Sequence, residues 1–303
     1  MINKKAFRFL PAPAALAFLA AAVASAAAFK SPEDAMKAVG ELAAAPDDKK
    51  AEQVFGAGCA DLLYSGDDVA DREEASRVRQ AVLEGIAFED HGADRKIALL
   101  GQSRWPFPIA LVRTDGSWQF DVEAGREEIV NRRVGRNELL TLKTIHAYVD
   151  AQREYFAGKN SGATPAYAQK IVSSEGKHDG LYWSAASAGH QSPLGPLVAG
   201  AAAEGYRGVP AESPFHGYYF RVVTSQGKNA PGGVESYVDE KGAMTKGFAL
   251  VAWPAKYGSS GVMTFQVDRQ GIVFQKDLGS DTATAAAAIQ AYDPDETWNP
   301  TKD

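Results

Sequence analysis

The chain has 303 residues, 45% of them hydrophobic and 23% charged, with one cysteine and a formal net charge of −6. That length suits one large domain or two smaller ones. A single cysteine excludes a disulfide framework, so stability must come from buried apolar surface, and the acidic balance disfavours nucleic acid or anionic lipid surfaces as partners.

Read in order, Lys4, Lys5 and Arg8 precede an apolar run from Phe9 to Val23, and Ala24-Ser25-Ala26 supplies a small-x-small cleavage pattern. These are the parts of a Sec-type signal peptide, residues 1–28, cut after Ala26 or Ala28. The expected location is the periplasm or the exterior, with no transmembrane segment in the mature chain. Removing residues 1–26 takes away three basic residues and no acid, leaving 29 Lys+Arg against 38 Asp+Glu, or −9.

Ser31-Pro32-Glu33-Asp34 has the order of a helix start, with Ala35, Met36, Val39 and Leu42 at helical spacing. Pro46 ends that helix, and Asp47-Asp48 begins a short one closed at Gly56. A further helix is expected from a cap at Asp71 and Glu74, with Val78, Val82 and Ile86 as its buried stripe. Strands follow at Ile97–Leu100, Ile109–Arg113 and Ser117–Val122, the last two joined through Asp115-Gly116, a pair suited to a tight hairpin. An Arg-rich turn then leads to a helix from Asn137 to Phe156, with Leu139, Leu142, Ile145, Val149 and Phe156 on one face. Residues 157–216 read as irregular apart from a short helix within Leu194–Glu204. Two-residue alternation returns at Tyr218–Val223, Phe248–Trp253, Met263–Asp268 and Ile272–Lys276, an antiparallel meander with a turn at Arg269-Gln270-Gly271.

The fold class is therefore α+β. Residues 29–135 are expected to form a small unit of helices plus a β-hairpin, and residues 136–303 a long helix packed on a four-stranded antiparallel sheet.

Several groups offer chemistry. Cys59 is a nucleophile if a histidine and a carboxylate converge on it, and otherwise a small core residue. His178, Asp179 and His216 lie in Gly-flanked loops and are catalytic or metal-ligating candidates if they meet at one point; the alternative is an Asx-type turn with the histidine exposed. Arg126, Arg132, Arg133 and Arg136 form the one basic concentration. Arg132, Arg133 and Arg136 would bind an anion or an acidic partner, unless Glu127, Glu128 and Glu138 neutralise them. Tyr182, Trp183, Tyr218, Tyr219, Trp253 and Tyr257 would form a platform for sugar or peptide, or else belong mostly to the core. No cofactor is expected, and no metal.

The phrases WPFPIALV (105–112), WQFDVEAGREEIVNRRVGRNEL (118–139), KHDGLYW (177–183), HGYYFRVVTSQGKNAPGG (216–233), GFALVAWPAKYGSSGVMTF (247–265) and the tail DPDETWNP (293–300) closely resemble the bacterial domain-of-unknown-function family 2950. That resemblance implies an exported protein and carries over no catalytic residue. Some members have an Asp/Gly-rich loop where this chain reads Gly158-Lys159-Asn160-Ser161-Gly162, without carboxylates. The C-terminal half, with AQREY ending its helix, then GYYF and F-x-V-D-x-x-G-I-V, resembles the globular part of type IV pilins and pseudopilins. It departs from them in having its apolar segment far upstream of the long helix. The expected role is a non-catalytic binding or envelope-assembly module with a protein or envelope partner. The alternatives are a hydrolase or metal-dependent enzyme around His178, Asp179 and His216, and a carbohydrate binder.

Overall fold

Helix α1 (Pro32–Ala44) begins where Ser31 Oγ accepts the Asp34 amide at 3.1 Å, and buries Met36, Val39 and Leu42. The computed structural model describes residues 27–158, 164–184, 191–206 and 213–302. The expected signal peptide falls almost wholly outside these residues, as does most of the Gly158–Gly162 loop. Helix α2 (Asp48–Phe55) is capped by Asp47 and ends at Gly56 with φ 93°. A single turn, α3 (Ala60–Leu63), and a longer helix, α4 (Asp68–Glu84), follow.

The cap of α4 differs from expectation. Asp67 caps it, Oδ1 accepting the amides of Val69 and Ala70 at 3.1 Å, while Asp71 turns back to hold the amide and hydroxyl of Ser65. Two carboxylates compete for one helix start, and the one outside the helix has the extended backbone a cap requires. Ile86 belongs to strand β1 (Ile86–Asp90), not to the helix, and no residue of α4 is fully buried.

Strands β2 (Arg95–Leu100), β3 (Trp105–Pro106), β4 (Leu111–Thr114) and β5 (Ser117–Phe120) complete an antiparallel sheet in the order β1-β2-β4-β5, with β3 also paired to β2. The β4–β5 hairpin turns on Asp115 (φ 51°) and Gly116 (φ 80°), as that dipeptide predicts. Trp118 and Phe120 point into a core built with α1, α2 and α3.

The Arg-rich segment is not a turn. Helix α5 runs from Val122 to Ala157, 36 residues or about 54 Å, starting directly after β5 with Asp121 as its cap. Of the expected apolar face, Ile145 and Val149 are buried, Leu142 packs partly buried on the same core and Phe156 is half-buried, but Leu139 is 63% exposed; Tyr148, Ala151 and Tyr155 join the buried face, with Thr141, Thr144 and Gln152 buried beside them.

That face packs on a second sheet. Strands β6 (Tyr218–Val223), β9 (Ala249–Pro254), β10 (Met263–Asp268) and β11 (Val273–Asp277) form the expected four-stranded meander, and β12 (Asn299–Pro300) extends it at the edge. Tyr148 Oη donates to the Ala249 carbonyl at 3.2 Å and its ring meets Phe248 edge-on, fixing α5 to the sheet. Gln152, fully buried, donates to the Ala168 carbonyl and accepts the Ala168 amide, which ties the segment after α5 back onto the helix. Helix α6 (Gly195–Ala203) lies within the predicted Leu194–Glu204, a small ribbon pairs β7 (Ser225–Gln226) with β8 (Glu235–Ser236), and α7 (Thr282–Ala288) packs against β9.

Buried apolar residues thus form two clusters, one around α1–α4 and the first sheet, the other around the second sheet. Helix α5 contributes to both, through Val122 and Ile129 to the first and Ile145 to Tyr155 to the second. The expected boundary between residues 135 and 136 falls inside this helix.

Candidate ligand-binding cavity

Because α4 is amphipathic only weakly, it leans on α1 and leaves space between itself and α5. A cavity of about 320 Å³ opens there, within the range of small-ligand sites. Its wall is largely apolar: Val39 and Leu42 from α1, Phe55 from α2, Val78 from α4, Phe107, and Ile129 from α5. Trp105, Phe107 and Pro108 bound it on the sheet side, Pro108 having no amide N–H to extend the ladder beyond β3.

Polar groups gather on the remaining wall. Three arginines singled out by the sequence, Arg132, Arg133 and Arg136, line the cavity from successive turns of α5, joined by Arg72 from α4. They are not equivalent. Arg133 is 8% exposed and binds inward, Nη2 to the Leu62 carbonyl at 2.8 Å and Nη1 to Ser259 Oγ at 3.3 Å. It joins the first cluster to the loop after β9. Arg132 pairs with Glu128 at 2.7 Å, donates to the Pro106 carbonyl and lies over the Trp105 ring. Arg136 shares Glu74 with Arg77, each at 2.7 Å. The expected neutralisation by glutamate is therefore partial, and of its three glutamates only Glu128 takes part here; Glu138 accepts the amides of Val262 and Met263 instead. Burial raises the Asp71 carboxyl above its ordinary value, and its hydrogen bonds from Ser65 oppose that shift.

Next to this wall lies a polar junction. Asp67 Oδ2 accepts Tyr206 Oη at 2.8 Å and the Gly217 amide at 2.9 Å, so one buried carboxylate caps α4 and holds the strand entry of β6. Asn137 donates to the Ser260 carbonyl. A Cβ on Gly217 would come within 2.6 Å of the Asn137 amide nitrogen, so glycine is required there. Burial lowers the His216 pKa, while Asp67 and Glu73 oppose the shift, and burial raises that of Glu204, 3.3 Å from the ring. Burial is the largest cause of both shifts, so at neutral pH the ring faces Glu204 as a neutral imidazole. Burial and Asp67 together raise Tyr206 far above an ordinary phenol.

The chain as a whole matches the family model described as "Protein of unknown function (DUF2950)" over residues 26–301. The chain belongs to DUF2950. Searches of the curated proteins and of the solved structures found no match.

Within this DUF2950 fold the remaining candidates are dispersed. The His178 carbonyl accepts Tyr155 Oη and its ring stacks on Trp183. Gly217, beside His216, packs on Asn137. Asn137 and Tyr155 are five turns apart on α5, roughly 27 Å, so the two histidines lie at opposite ends of that stretch. Asp179 is held by Lys170 and by the amide and hydroxyl of Ser174, and Lys170 keeps its carboxyl far below the usual range. It closes a local loop, while His178 is half-buried rather than exposed. Among the described residues no three His, Cys, Asp or Glu side chains are placed to hold a metal. Cys59 is 1% exposed in the first cluster. Of the aromatics, Trp183 and Tyr218 are core; Tyr219 and Trp253 pair on the outer face of the second sheet, where Arg221 lies over Trp253. No described helix is long and apolar enough to cross a membrane.

The cavity's apolar wall was not visible in the sequence. Its residues come from five separate segments, each of which reads locally as ordinary core.

Proposed function

We propose that this DUF2950 protein acts outside the cytoplasm as a non-catalytic binding module, holding an apolar ligand between α1, α4 and α5. The cavity of about 320 Å³ beside a half-buried helix carries this reading. A helix with no fully buried residue can shift on its neighbours at little cost, which suits a wall that admits a ligand. The two units, residues 29–135 and 136–303, are proposed to share α5, the second being pilin-like in pairing a long helix with an antiparallel meander. On this reading a role in envelope assembly comes from what the cavity binds.

Titration with N-phenyl-1-naphthylamine, a neutral apolar fluorophore, tests the reading. Saturable one-site binding is expected in the purified protein, and its loss in Val78→Trp, which fills the cavity from α4. Fluorescence that never saturates, or that Val78→Trp leaves unchanged, would overturn it.

A further inference from the structure

We infer that the ligand is a monoanionic amphiphile, an aliphatic chain ending in a carboxylate, with the chain in the apolar cavity and the carboxylate against Arg72. This rests on the binding reading above and adds the ligand's chemical class.

The apolar part follows from the wall: its lining is mostly aliphatic and aromatic, and burying sugar or peptide polar groups against such surface without matching hydrogen bonds is costly, whereas hydrocarbon is accepted. The charge follows from which rim groups already have partners. Glu74 is taken by Arg77 and Arg136, and Asp71 by Ser65, its ionised form further disfavoured by burial. Asp68 stands in the first turn of α4, where the helix dipole favours a negative charge. Arg132 has Glu128. Arg72 is exposed, lines the cavity, and makes no ion pair among the described residues. At the rim of an apolar cavity its planar fork is placed to hold one carboxylate.

The geometry also orders the ligand. Arg72 is about one and two-thirds turns before Val78 on α4, so the carboxylate sits toward the helix start and the chain runs toward Val78, between α4 and α1.

The test is displacement of N-phenyl-1-naphthylamine by dodecanoate, dodecanol and acetate, in the wild-type protein and in Arg72→Gln. In wild type, dodecanoate is expected to displace the fluorophore at about tenfold lower concentration than dodecanol, with acetate inactive. Arg72→Gln should weaken dodecanoate about tenfold and leave dodecanol unchanged, which also shows that the variant is folded. Equal potency of acid and alcohol, or an Arg72→Gln effect on both, would overturn the carboxylate assignment while leaving the apolar site standing. Displacement by acetate would overturn the chain assignment. If the fluorophore itself fails to bind, the binding reading falls first.

Discussion

At the scale of single residues, Asp67 is the group on which most depends. It is 3% exposed, and its two oxygens accept four hydrogen bonds: two cap α4, and two hold Tyr206 and Gly217. Asp67→Ala removes a cap and leaves buried donors unmatched, a loss of about 3 kcal/mol, to be measured by urea denaturation. His216, close by, gives the junction a pH dependence. Its folded pKa lies below 6.5 because burial opposes the charged ring; Asp67, Glu73, Glu204 and Arg136 are the charged groups around it. A buried base with a lowered pKa binds fewer protons folded than unfolded. Stability is therefore unaffected above the ordinary imidazole value and falls as pH drops from about 6.5 through the folded value. Glu204, raised by burial, works in the opposite sense nearer its own range. The difference between wild type and His216→Gln, followed by denaturation from pH 7.5 to 5, isolates the histidine: the wild type should lose stability relative to the variant on acidification.

At the scale of elements, two glycines of α5 make opposite predictions. A Cβ on Gly125 would lie 2.9 Å from the Ile109 Cα, a backbone atom that cannot step aside, whereas a Cβ on Gly135 meets nothing within 4 Å. Gly125→Ala should destabilise by about 1–3 kcal/mol despite alanine's better helix propensity. Gly135→Ala should stabilise by about 0.5–1 kcal/mol. Both are read from urea midpoints. The same residues explain why the helix start was illegible. Gly125, Gly135 and four arginines between residues 126 and 136 read as a turn, because the close crossing at Gly125 and a loop both favour glycine. Only tertiary contact tells them apart. The polar face was hidden likewise: Arg133 and Asn137 are buried through bonds to Leu62, Ser259 and Ser260, which no periodicity of apolar residues records. By contrast, α1, the Asp115-Gly116 hairpin and the four-stranded meander were legible, since each rests on local chemistry: a serine cap, a left-handed turn, a two-residue alternation.

At the scale of the molecule, α5 is a shared beam. Its first half packs on the helices and small sheet, its second half roofs the meander, and Arg133, Asn137 and Glu138 bind backbone or side-chain groups of the β9–β10 connection at the crossover. Neither cluster can lose α5 without exposing part of the other's contacts, so the two should unfold together. Asn137→Ala is expected to lower the single transition rather than split it, with coincident tryptophan fluorescence and far-UV circular dichroism as the check. The same beam supplies the arginine wall of the cavity, which is how a ligand seated under α4 would be felt at the junction with the second sheet. The most direct measurement of that central claim is a crystal structure of the protein grown with N-phenyl-1-naphthylamine. The account predicts the fluorophore's electron density between Leu42, Val78 and Ile129, with Arg133 still bound to Leu62; density for it only elsewhere, with the space between α1, α4 and α5 closed by side chains, would contradict it.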